Sequence, residues 1–154
     1  MKQVYRVLAY AVAAGVVAQA MVIVYAVGSL NKWVDGGGVY DRTVADDATA
    51  FPGAGAFRVH ETVGAYVVPG LVVLLLVASL AARVRRGRLV AAIMFVLVAA
   101  QALLGYEASD QPAIGSLHGL FAFGLFGVAM YAGRLASPGH TVRREADEPV
   151  ASSA

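Results

Sequence analysis

The sequence predicts an all-α integral membrane protein: a four-helix bundle of two pseudo-symmetric helical hairpins, with both termini on the cytoplasmic side. Three observations predict it. The chain is 59% hydrophobic and only 14% charged, with a mean hydropathy of +0.69, well outside the range of ordinary soluble domains. Its apolar residues gather into four runs, each long enough to cross a hydrocarbon layer of about 30 Å. Its basic residues cluster at one side of those runs and its acidic residues at the other.

A chain of 154 residues has room for one domain, residues 1–136, and no soluble stretch long enough for a second core. Cysteine is absent, which excludes disulfides, thiolate metal sites, iron–sulfur clusters and c-type haem attachment. The pI of 9.1 does not point to nucleic acid, because the basic residues flank apolar spans. They orient the chain in the lipid bilayer.

The first span, about Tyr5 to Ser29, follows Met1, Lys2 and Arg6. Its apolar run from Val7 to Leu30 is about 24 residues, roughly 36 Å of helix, against about 7 to 15 in a cleaved signal peptide. It is therefore read as a retained span. The segment from Asn31 to Gly55 carries Gly36-Gly37-Gly38, Asp46-Asp47 and Phe51-Pro52-Gly53. Such punctuation suits either a cover over a site or a simple connector.

The second span, about Ala56 to Ala82, contains Pro69, where a kink is expected. Arg83-Val84-Arg85-Arg86-Gly87-Arg88 follows, a basic turn assigned to the cytoplasm. The third span is about Leu89 to Tyr106 and the fourth about Gly115 to Ala136, with Gly124 and Gly127 expected to permit close helix approach. Residues 137–154 form a polar tail expected to be disordered, and His140 within it has no assigned role. Tyr5, Trp33, Tyr40 and Tyr106 read as interfacial aromatics.

The charges agree on orientation. Lys2, Arg6, Arg134, Arg143 and Arg144 share the side of the arginine turn, while Asp35, Asp41, Asp46, Asp47, Glu61, Glu107 and Asp110 share the other. By the positive-inside rule both termini are inside, and the expected setting is the plasma membrane of a prokaryote.

A weak repeat links the halves. Val17-Ala18-Gln19-Ala20-Met21 and Ala99-Ala100-Gln101-Ala102-Leu103 each place a glutamine at equal spacing after a basic residue, Arg6 or Arg88. At 1.5 Å per residue the two amides lie about 20 Å from those anchors. Each glutamine-bearing span is followed by one with a histidine near its outer end, so the hairpins are expected to be related by a twofold axis along the membrane normal. Gln19 and Gln101 themselves are expected to hydrogen-bond across helices.

The histidines carry the chemistry. His60 and His118 enter the second and fourth spans at similar depth on helices running in the same direction. An ionisable ring inside a membrane span is costly and usually functional, and facing helices of a bundle are a common place for a cofactor. One turn deeper stand Gly64 and Ala122, small residues that leave room for a flat macrocycle. Two neutral imidazoles can fill both axial positions of one haem iron, so His60 and His118 are the expected metal ligands, with Gly64 and Ala122 lining the cofactor. Lys32, Arg42 or Arg58 could pair with its carboxylates. A zinc or dinuclear site would need further ligands, for which Glu61 and Glu107 are the nearest carboxylates.

Gln101-Ala102-Leu103-Leu104-Gly105 followed by Leu117-His118 and Ala122 resembles the third and fourth spans of the haem A synthase family. In that family each half is a four-helix bundle with a histidine at the outer end of its second and fourth helices. The chain looks like one such half standing alone, and the resemblance implies that His60 and His118 are axial ligands. It departs from the catalytic half at Phe57, where the family has a glutamate, and at Glu61, where the family commonly has an arginine. The family's oxidation of a haem methyl group is therefore not carried over.

The expected function is that of a b-type membrane cytochrome in electron transfer or a haem-linked redox role, with a redox protein, a quinone or a second copy of the chain as partner. The alternatives are a cofactor-free accessory subunit of a larger membrane complex and a haem-modifying or quinone-linked oxidoreductase.

Overall fold

The computed structural model describes residues 1–108 and 111–137. Among them every regular element is a helix, and four helical stretches are long and apolar enough to span a membrane. The expected tail from 138 onward, with His140, and Asp110 lie outside the described residues.

Helix α1 runs from Lys2 to Asp35, beyond the expected end at Ser29. Apolar periodicity stops near Leu30, but nothing in Asn31-Lys32-Trp33-Val34-Asp35 breaks a helix until the three glycines. There Gly36, Gly37 and Gly38 donate to the carbonyls of Lys32, Val34 and Trp33 and close the helix. Gly37 has φ +95°, a conformation that is inexpensive only without a Cβ.

The segment between α1 and the second span is folded onto the end of α1. A short helix α2, Arg42–Asp46, is capped by the Asp41 carboxylate, which accepts from the Val44 N–H at 3.0 Å. Asp47 accepts from the Thr49 N–H and hydroxyl at 2.8 and 2.7 Å, and these bonds hold its exposed carboxyl below the ordinary range. Phe51 is buried and stacks on Trp33 with ring centroids 5.3 Å apart. Gly53, at φ +98°, lies so close to Ser29 that a Cβ there would come within 2.6 Å of its hydroxyl oxygen.

The second span is continuous from Gly55 to Ala82 but changes character midway. Helix α3, Gly55–Thr62, passes into a π-helical turn, Val63–Val67, and then into α4, Val68–Ala82. Pro69 has no N–H and its ring crowds the carbonyl one turn earlier. Widening the preceding turn is one way a helix accommodates this, so the distortion expected at Pro69 takes the form of a π turn ahead of it. Helix α5, Gly87–Glu107, and α6, Pro112–Leu135, begin and end within a few residues of the expected limits.

The spans close into a ring in which α1 packs on α4 and α6, and α5 packs on the same two. The core is not evenly distributed along the bundle. Tyr5, Ala9, Val12 and Ala13 of α1 meet Val68, Val72, Leu75 and Ala82 of α4, Val90, Ala91, Met94 and Val98 of α5, and Leu125, Ala129 and Ala132 of α6. All of these lie in the half that ends at the arginine turn. Lipid offers no hydrophobic drive for helices to associate, so close packing through small residues must hold them, and the alanines supply it.

Two expectations are corrected here. Tyr5 is not an interfacial aromatic facing lipid: it is fully buried, and its hydroxyl donates to the Gly87 carbonyl at 3.1 Å. Gly124 and Gly127 are not contact points, since a Cβ at either would meet nothing within 4 Å. The close approaches occur at Gly15, where a Cβ would stand 3.3 Å from Val68, and at Gly133, where it would enter the ring of Tyr10. A glycine at a helix contact cannot be told by residue type from one facing lipid; only the packed helix azimuth separates them.

Tyr5→Phe removes the bond that ties the start of α1 to the start of α5 and leaves a buried carbonyl without that partner. Thermal unfolding in detergent is expected to show a loss of about 1–2 kcal/mol, whereas Tyr40→Phe at an exposed position should leave the midpoint unchanged.

Candidate functional site

Both histidines sit at the end of the bundle opposite the arginine turn, beyond the main buried cluster. His60 is carried by α3 and His118 by the first half of α6. Their ring centroids are 6.3 Å apart with the planes inclined at 67°, so the two histidines face each other as their sequence positions implied.

Each ring is held in the same manner by the helix that precedes it. His60 Nδ1 lies 3.2 Å from the backbone carbonyl of Gln19, and His118 Nδ1 lies 3.0 Å from the backbone carbonyl of Gln101. A carbonyl oxygen only accepts, so each Nδ1 carries the proton and donates. That fixes the tautomer and leaves each Nε2 with its lone pair. The Gln101 amide nitrogen then donates to His118 Nε2 at 3.2 Å. Among the described residues, His60 Nε2 has no corresponding amide partner.

The glutamines thus act mainly through their main chains. Gln101 also bonds across helices through its side chain, as expected, but the side-chain oxygens of Gln19 and Gln101 are buried without a hydrogen-bond partner. Buried acceptors of this kind are uncommon in folded proteins and call for an explanation in water or ligand.

The space beneath the rings differs from expectation. Gly64 does not leave an empty slot under His60, because the Gln19 amide oxygen stands 3.5 Å from where a Gly64 Cβ would be. A Cβ there would meet that amide at ordinary contact distance. Ala122 is half-buried below His118. The glycine with the tightest relation to a histidine is Gly105: a Cβ on it would come within 3.0 Å of His118 Cε1 and 3.2 Å of Nδ1. Gly105 follows Gln101 by one helical turn, so its missing side chain opens the path by which His118 reaches the Gln101 carbonyl. A glycine one turn from a candidate partner residue was the available signal.

Glu61 and Glu107 are exposed, as are Lys32, Arg42 and Arg58. Among the described residues no group of three or more histidine, cysteine or acidic side chains is gathered to hold a metal ion. The zinc or dinuclear alternative therefore lacks its carboxylate ligands. What the site offers is a pair of neighbouring imidazoles whose Nδ1 atoms are anchored on carbonyls.

No protein-family model, curated protein or solved structure matches the chain.

Gly105→Val puts a branched side chain where the His118 ring lies. The ring is expected to leave the Gln101 carbonyl, and nitrogen-15 NMR of labelled protein should change from a single Nδ1–H tautomer at His118 to a mixture. His60 should keep its Nδ1–H form.

Proposed function

We propose that the protein is a membrane cytochrome of b type in which His60 and His118 hold one haem and serve single-electron transfer. The observation that carries this reading is the pair of facing rings, each with Nδ1 bonded to a carbonyl of the preceding helix. Ligating histidines generally donate their second N–H to a carbonyl or carboxylate, which orients the ring and raises its basicity. Two imidazoles that would hold one metal ion between them must stand close enough for a nitrogen of each to reach it. The rings stand 6.3 Å apart, so their spacing fits.

The fit asks that the Gln101 amide, which engages His118 Nε2, turn aside and free that nitrogen. The largest buried cluster lies nearer the arginine turn, which leaves the level of the rings less tightly filled by apolar side chains. A bound haem supplies reversible one-electron chemistry there. The chain's own residues hold the rings, fix their tautomers and, through Lys32, Arg42 and Arg58, provide exposed cations at the same end. One haem at one face does not carry an electron across the bilayer. A redox protein, a quinone or a second copy of the chain completes the path.

The matched pairs Gln19–His60 and Gln101–His118 support a twofold relation between the hairpins and an origin as a single half of the haem A synthase frame. Phe57, in place of that family's glutamate, argues against oxidation of a haem methyl group. The charge distribution supports cytoplasmic termini and the plasma membrane of a prokaryote. Single cysteines introduced into the cysteine-free chain test the orientation: Arg85→Cys should be labelled only from the cytoplasm and Tyr40→Cys only from outside, and the reverse would refute it.

A cofactor-free accessory subunit is the second reading, favoured by the Gln101 amide that already satisfies His118 Nε2. Titration of the purified protein with haemin separates the two. Haem binding predicts a Soret band that saturates at one haem per chain with a six-coordinate low-spin spectrum. His60→Ala or His118→Ala should each give a five-coordinate spectrum and at least tenfold weaker binding. No Soret shift, or a shift unaltered by losing both histidines, would leave the accessory reading.

A further inference from the structure

At the opposite end of the bundle the turn between α4 and α5 encloses a half-open pocket of about 250 Å³ lined by Ser79, Arg83, Val84, Arg86, Gly87 and Arg88. We propose that this pocket binds a phosphate-type anion, specifically the head group of an anionic phospholipid. The inference is independent of the haem reading.

Three arginines line one small space, and a guanidinium presents several donors in a planar fork matched to phosphate oxygens. Arg88 uses one nitrogen to donate to the Leu80 carbonyl at 3.1 Å, which fixes its side chain across the turn and leaves other donors available. The side chains of Arg83 and Arg86 make no hydrogen bond or ion pair among the described residues. The carboxylates of the described residues, Asp35, Asp41, Asp46, Asp47, Glu61 and Glu107, belong to the histidine end, so no described carboxylate stands at the pocket.

The backbone adds a second observation. Arg83 at φ 49° and Arg86 at φ 60° are the non-glycine residues with positive φ among the described residues. The left-handed region favours glycine or asparagine, and residues held there tend to mark sites where the side chain is needed. Two arginines in that conformation within one four-residue turn give up backbone ease for a guanidinium. The turn is anchored from below by the Tyr5 hydroxyl on the Gly87 carbonyl, and the packing is tight, since a Cβ on Gly87 would come within 2.9 Å of Val84.

A lipid is favoured over a soluble anion by what surrounds the pocket. Val77 and Leu80 of α4 and Leu89 of α5 are each 60% exposed, an apolar wall beside the arginines on which acyl chains can lie while the phosphate meets the turn. Basic pockets between spans are a recurrent form of head-group recognition.

The test uses the full chain in neutral detergent and follows its thermal midpoint with added phosphatidylglycerol, phosphatidylcholine or inorganic phosphate, because a ligand of the folded state raises the midpoint. Phosphatidylglycerol is expected to raise it by several degrees in the wild type and in Arg85→Gln, whose side chain does not line the pocket. Arg83→Gln with Arg86→Gln should abolish the shift. Each single variant should halve it, which serves if the double variant does not fold. An equal shift with phosphatidylcholine, or an equal loss in Arg85→Gln, would overturn the proposal. A shift with inorganic phosphate and none with the lipid would overturn the lipid assignment.

Discussion

The interaction on which the histidine end depends is a hydrogen bond from an imidazole N–H to a carbonyl in the middle of a helix. It occurs twice, from His60 to Gln19 and from His118 to Gln101. Within a bilayer a polar ring needs a partner inside the protein, since hydrocarbon offers none. A mid-helix carbonyl has a spare lone pair after its own helical bond, and it is held rigidly by the helix. Borrowing it sets the depth of the ring, its tautomer and the direction of its other nitrogen in one step.

The two ends of the bundle divide the work. Around the arginine turn, alanines bring the helices close and Tyr5 locks α1 to α5. Toward the histidines, beyond that cluster, Gly64 faces a glutamine amide and Gly105 admits an imidazole. The stacked Trp33 and Phe51 and the Gly53–Ser29 contact close the segment that follows α1 onto that helix.

Much of this was legible in the sequence because the bilayer imposes strong rules. Apolar length located the four spans, and matched histidine positions anticipated that the rings would meet. Other features were not legible, for identifiable reasons. Whether Tyr5 faces lipid or the bundle depends on helix azimuth, to which hydropathy is blind when every face is apolar. The same ambiguity misassigned Gly124 and Gly127 and hid Gly15 and Gly133. The partner of each histidine is a backbone atom, which leaves no mark on residue identity, so Gln19 and Gln101 drew notice for their amides although their carbonyls do the holding. Pro69 announced a distortion without specifying a π turn.

The claim that two anchored imidazoles share one iron is tested most directly by electron paramagnetic resonance of the oxidised protein purified from its native membrane, with iron quantified on the same sample. Bis-histidine ligation predicts about one iron per chain and a low-spin ferric signal that is lost when either His60 or His118 is replaced. Protein free of iron, or a low-spin signal that survives both replacements, would contradict it.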